Sequence, residues 1–145
     1  YLLACATAGM HVPIAAPVGY QPRADVVADA ERIAAQTGGS VTVGENIDEL
    51  VAGADVVVTD TWVSMGREDE KQRRIDALSA YRVTEETMGK AAEGAIFLHC
   101  LPADRGYEVD AAVIDGPQSV IWNEAENRLH AQKALLVWLL AKAAA

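Results

Sequence analysis

The stretch FLHCLP, residues 97 to 102, ends an apolar run on an imidazole (His99) and a thiol (Cys100), followed by Leu101 and Pro102. Asp60 closes a second apolar run, ADVVVTD, and Glu124 and Arg128 follow a third, SVIW, spaced i,i+4. Such groups could bind a metal, form a nucleophilic pair, or do acid/base work on a small polar ligand. No C-x-x-C or H-x-x-x-H spacing supports zinc. A Cys–His nucleophilic pair is disfavoured because neighbouring strand residues point to opposite faces. Each group also has a bland reading. His99 and Cys100 could be a satisfied core imidazole and a small buried thiol. Asp60 could cap a turn, and Glu124 with Arg128 could form an exposed helix pair worth about 0.3–0.5 kcal/mol.

Positioning these groups is the task of short β-rich runs alternating with helical patterns. The expected strands are HVPIAAP (11 to 17), SVTV (40 to 43), ADVVVTD (54 to 60), GAIFLHC (94 to 100) and SVIW (119 to 122). Most are apolar throughout, as expected of parallel strands covered on both faces. Between them, Val26, Ala30, Ile33 and Ala34 recur at helical spacing before Gly38 and Gly39, an amphipathic helix with a glycine stop. Asn46 with Glu49 resembles a capping box ahead of Ile47, Leu50 and Val51. Thr84, with Glu85 and Glu86, opens another helix that is expected to end at Gly94, and a last one is expected to start near Asn123. The alternation predicts an α/β fold, a doubly wound parallel sheet of Rossmann-like type. In such sheets ligands bind beyond the carboxyl ends of the strands. That rule selects Pro17 to Tyr20, Asp60 to Trp62, His99 to Leu101, and Asn123 with Glu124. The sequence has no G-x-G-x-x-G or P-loop pattern, which leaves a small polar substrate as the expected ligand.

The chain has 145 residues, 51% of them hydrophobic, enough for one domain with a core. A net charge of -9 argues against nucleic acid and against an anionic membrane surface as partners. Cys5 and Cys100 lie far apart, which suits a reducing compartment and a cytoplasmic protein. The opening YLLAC lacks the basic residues of a signal peptide. ALLVWLLA, 134 to 141, falls well short of the ~20 residues that span a bilayer, and is expected to be a helix buried on most sides. REDEKQRR, 67 to 74, reads as a solvated face. A start at Tyr1, inside a helical pattern, points to a fragment or a processed product.

Three separated segments, DTWVSMG (60 to 66), HCLPADRG (99 to 106) and WNEAENRLHAQKALL (122 to 136), resemble signature segments of the ornithine carbamoyltransferases, in the same order. The Ser-Met-Gly piece discriminates best. The resemblance implies that residues 1 to 145 are the ornithine-binding domain, the C-terminal half of the aspartate/ornithine carbamoyltransferase fold. It implies transfer of the carbamoyl group of carbamoyl phosphate to the δ-amino group of L-ornithine, giving citrulline and phosphate, with no cofactor and no metal. Asp60 and Ser64 would hold the α-amino group, and the Met65 amide would face the α-carboxylate. Cys100 and the Leu101 carbonyl would stand beside the attacking amine, with Arg128 near the carbamoyl oxygen. Cys100 would be an acid/base and positioning group, and residues 64 to 74 a closing loop.

The same resemblance implies partners: an N-terminal carbamoyl-phosphate domain and a homotrimer or multiple of trimers. It also implies a strand before Tyr1, central in the sheet, without which the 145 residues fold poorly and do not catalyse. Asp104 departs from the His or Phe of many relatives. Two other readings stand beside this one: a non-catalytic amino-acid-binding module, and a carbamoyltransferase for acetylornithine or putrescine.

Overall fold

The computed structural model of the chain describes residues 1–63, 66 and 68–144. Ser64 and Met65, and the closing segment that begins with them, therefore lie wholly or partly outside the described residues. Helix α1 (Leu2–Thr7) leads into β1 (His11–Ala15), α2 (Ala24–Thr37), β2 (Ser40–Gly44), α3 (Ile47–Val51) and β3 (Val56–Thr59). Next come α4 (Lys71–Leu78), α5 (Glu85–Lys90), β4 (Ile96–His99), α6 (Ala111–Ile114) and α7 (Ile121–Ala143).

All described strand pairing is parallel, as the apolar runs require, but it forms two pairs instead of one sheet: β1 with β2, and β3 with β4. The register of the second pair matters for chemistry. Val56 lies opposite Ile96 and Thr59 opposite His99, so the next residues, Asp60 and Cys100, leave the sheet side by side.

Each pair has its own core. Around β1 and β2, Leu2 and Ala6 of α1 meet Ala30 and Ala34 of α2, where small side chains let two helices approach closely. Around β3 and β4, Phe97, Val57, Val109, Ile114 and Ile121 pack together. Burial of each of the largest, Phe97, Ile114 and Ile121, contributes about 1.5–3 kcal/mol. Helix ends follow local chemistry. Gly38, at φ 85°, terminates α2 in the left-handed conformation that glycine adopts without penalty. The Asn46 side chain accepts the backbone N–H groups of Asp48 and Glu49. Thr84 caps α5 in a reciprocal box, but its partner is Thr87 and not a glutamate.

Several expectations are corrected. SVIW is not a strand: Ser119 makes a single bridge to Phe97, and the chain turns at once into α7, because Ile121 is drawn into the core. Helix α5 ends at Lys90, not Gly94, since the Ala91 and Ala92 amides bond to Met88 and Ala54 carbonyls. REDEKQRR is more than a solvated face: Glu68–Glu70 forms a 3-10 turn and Lys71 starts α4, which half-buries Arg74. Strand β3 is covered on one face only, with Val57 buried while Val56 and Val58 are exposed. The ALLVWLLA segment is exposed rather than buried. Leu135, Leu136, Trp138 and Leu140 each keep more than half their surface open, because no other described element packs on that part of α7.

Candidate functional site

The parallel register brings Asp60 and Cys100 together at the carboxyl ends of β3 and β4. The Cys100 thiol donates to Asp60 Oδ1 at 3.1 Å, and the same oxygen accepts the Thr61 N–H at 2.7 Å. Both bonds use Oδ1, so neither occupies Oδ2 of this exposed carboxylate. Burial, then the Asp60 hydrogen bond and charge, and then Glu124, push the thiol from its ordinary 9.0 up to about 11. Near neutral pH Cys100 is thus a protonated hydrogen-bond donor, not a thiolate nucleophile.

Glu124, on the first turn of α7, joins the cluster from the other side. Its Oε1 accepts the Tyr1 hydroxyl at 3.0 Å, while Oε2 is buried with no hydrogen-bond partner among the described residues. Partial burial of the phenol, then that bond and the charges of Glu124, Cys100 and Asp60, push Tyr1 up to about 12. Tyr1, Asp60, Cys100 and Glu124 therefore form one acidic, donor-hungry corner, suited to a cationic amine. The expected Glu124–Arg128 pair is replaced by this contact with Tyr1. Arg128 is exposed on α7, one turn after Glu124 and two after buried Ile121, so helical spacing puts all three on one face.

His99 turns the opposite way from Cys100, as strand alternation requires, and is fully buried. Its Nδ1 accepts the Leu101 N–H at 2.9 Å, and its Nε2 lies 3.2 Å from Oε1 of buried Glu108. That carboxylate oxygen also accepts the Asp104 N–H at 2.6 Å. Leu101 itself has φ 56°, a left-handed conformation unfavourable for a branched residue, and its peptide bond to Pro102 is cis.

A second arm rises from residues that the strand-end rule also selected. Arg74 bonds Glu70 at 2.7 Å and the Trp62 carbonyl at 3.3 Å, and its guanidinium lies 5.8 Å from the Tyr20 ring centre. This ties α4 to the chain leaving β1 and β3. A cavity of about 350 Å³ lined by Asp48, Thr84 and Lys90 lies elsewhere, and its Lys90 is already ion-paired to Asp48 and Glu86.

Of the sequence candidates, Asp60, Cys100 and Glu124 converge, and Leu101 adjoins them in sequence. Arg128 shares a helix face with Glu124, but it takes no part in the hydrogen bonds that join Asp60, Cys100 and Thr61. Ser64 and Met65 lie outside those residues. Sequence reasoning missed Tyr1 and Glu108. Glu108 had one weak signal, a lone carboxylate inside the otherwise β-like YEV. Among the described residues, no group of three or more His, Cys, Asp or Glu is placed to hold a metal ion. No described helix is long and apolar enough to cross a membrane.

Comparison with known proteins gives a consistent result. Residues 1–139 match the family model for the Asp/Orn binding domain of aspartate/ornithine carbamoyltransferase. The chain is 72% identical over 140 residues to an ornithine carbamoyltransferase of Clavibacter sepedonicus, covering 97% of this chain and 46% of that protein. The anabolic ornithine carbamoyltransferase structure from Campylobacter jejuni superposes with a TM-score of 0.89 at 39% identity, covering 97% of this chain and 46% of that one. An acetylornithine transcarbamylase complexed with acetylcitrulline matches less closely, with TM-score 0.80 and 35% identity over 93% of this chain and 41% of that one. The chain thus spans about half the length of the relatives it matches.

Proposed function

We propose a function from the premise that the chain belongs to the aspartate/ornithine carbamoyltransferase family, as its Asp/Orn binding domain. The chain supplies the amine-substrate half of an enzyme that moves the carbamoyl group of carbamoyl phosphate to the δ-nitrogen of L-ornithine. The observation that carries this reading is the 3.1 Å Cys100–Asp60 contact at the strand ends. It sets a protonated thiol and an anionic carboxylate where a diamino acid needs an anchor for one amine and acceptors for the other.

Asp60, with Ser64, holds the α-ammonium, and the Met65 amide meets the α-carboxylate. The δ-ammonium has no lone pair until it loses a proton; a carboxylate of the acidic corner accepts that proton as general base, and the Leu101 carbonyl then accepts a hydrogen bond from the neutral amine. The freed nitrogen forms a bond to the carbamoyl carbon. The carbon–oxygen bond to phosphate breaks, and phosphate leaves with that electron pair and accepts a proton. Arg128, aligned with Glu124 on α7, faces the carbamoyl oxygen as it becomes negative, a fixed charge worth a few kcal/mol in such sites. Cys100 keeps its proton and orients the nitrogen without bonding to carbon.

The reading requires no cofactor. Carbamoyl phosphate itself is held by a second domain, which the coverage of about half of each relative supports. A further strand beside β1 and β3 fits the two-pair sheet, in which neither strand has a second described neighbour. The family association supports a homotrimer or a multiple of trimers, and the charge and cysteine pattern support the cytoplasm.

The test is Cys100→Ala in the intact polypeptide, with citrulline as the product measured. A fall in kcat of roughly a hundredfold is expected; unchanged turnover sinks the assignment. The same assay with acetylornithine and putrescine decides the amine. Faster turnover of either would replace ornithine as the substrate.

A further inference from the structure

His99 and Glu108 are the two buried polar side chains among the described residues, and the acid/base scheme above uses neither. Their hydrogen bonds have a direction that geometry settles. The Leu101 N–H can only donate, so the His99 Nδ1 facing it at 2.9 Å must be an unprotonated acceptor. The ring proton then sits on Nε2 and points at Glu108 Oε1, 3.2 Å away. A proton on Nδ1 instead would set two donors head to head in a site closed to water. Glu108 Oε1 also receives the Asp104 N–H at 2.6 Å, so one carboxylate oxygen ties together both ends of the turn from 99 to 104.

The turn between those ends carries the reactive groups. Leu101 sits at φ 56°, where a non-glycine residue loses about 1–2 kcal/mol, and its N–H is the group that His99 holds. In this conformation Cys100 reaches Asp60 across the sheet edge while His99 turns inward.

We infer that His99 is a positioning residue for the transfer reaction: through its Nδ1 it locks the Leu101 backbone, and so aims the Leu101 carbonyl and the Cys100 thiol at the incoming amine. Glu108 sets the tautomer that makes this possible. His99 exchanges no proton with Cys100 and touches no substrate. This rests on the functional reading above for the identity of the reaction, but not for the geometry of the turn.

Two measurements on the intact polypeptide test it. In His99→Phe the acceptor is lost, and kcat per folded site should fall roughly tenfold to a hundredfold while KM for ornithine changes by less than about threefold. In His99→Asn the amide oxygen replaces Nδ1, and kcat should return to within about threefold of the unsubstituted protein. A merely structural role predicts lost stability with normal kcat per folded site; that result, or equal losses in both variants, overturns the inference. Nitrogen-15 NMR of the unsubstituted protein reads the tautomer directly and does not depend on any variant folding. A proton on Nδ1 of His99 overturns the inference. A proton on Nε2 supports it even if no citrulline forms, an outcome that would overturn the reading of the reaction instead.

Discussion

At the scale of single residues, the site depends on a thiol kept protonated by its surroundings. Cys100 is raised from 9.0 to about 11, by burial first and by Asp60 second, so its alkylation by iodoacetamide should keep climbing with pH up to about 11, with the onset of its plateau there and not near 9. Asp60→Asn removes a negative charge and should bring the onset down, as mass spectrometry of the modified peptide would read; an unchanged profile would refute the coupling. The sign for stability follows. The folded state binds this proton more tightly than the unfolded chain, so the contribution is full below about pH 9 and lost as pH rises through about 11. A thermal midpoint that falls over this range, and falls less in Cys100→Ala, checks it.

At the scale of elements, short helices depend on their caps. Helix α5 has six residues and presents buried Met88 to the main core, so its N-terminal amides need a partner that water does not replace. Thr84 provides it, accepting the Thr87 N–H at 3.2 Å. Thr84→Ala should cost about 1 kcal/mol, measured as a shift in urea midpoint at constant slope, whereas Thr84→Ser should cost less than half of that. Equal losses would mean that the methyl packing of Thr84, not its hydroxyl, secures the helix. Helix α7 is the contrasting case: it buries Ile121 and leaves the rest of its apolar length open among the described residues.

At the scale of the whole molecule, two small cores sit under two separate parallel pairs. Two-stranded sheets are marginal in water unless they pack well. With exposed Val56, Val58, Leu136 and Trp138 added, the 145 residues expressed alone should unfold broadly on heating and make no citrulline. A single sharp calorimetric transition would contradict this and would show that the two cores suffice. Joined to the proposed second domain, the same residues should unfold cooperatively and become protected from proteolysis along α7.

The apolar runs, their spacing and the three motif segments by themselves determined the α/β class, the parallel direction of the strands, the position of Asp60 and Cys100 at strand ends, and the caps at Asn46, Thr84 and Gly38. These are local or periodic properties, and a linear chain carries them openly. Register was decided only in three dimensions, because a shift of one residue would reverse which face each side chain takes, and only pairing Thr59 with His99 sets Asp60 beside Cys100. The same holds for the Glu124–Tyr1 contact, which joins residues at opposite ends of the chain, and for the early turn into α7 at Ile121. His99 shows the difference most plainly. Its sequence position placed it at a reactive edge, but the direction of its side chain depended on a strand face, a buried carboxylate and one backbone N–H that no spacing rule records.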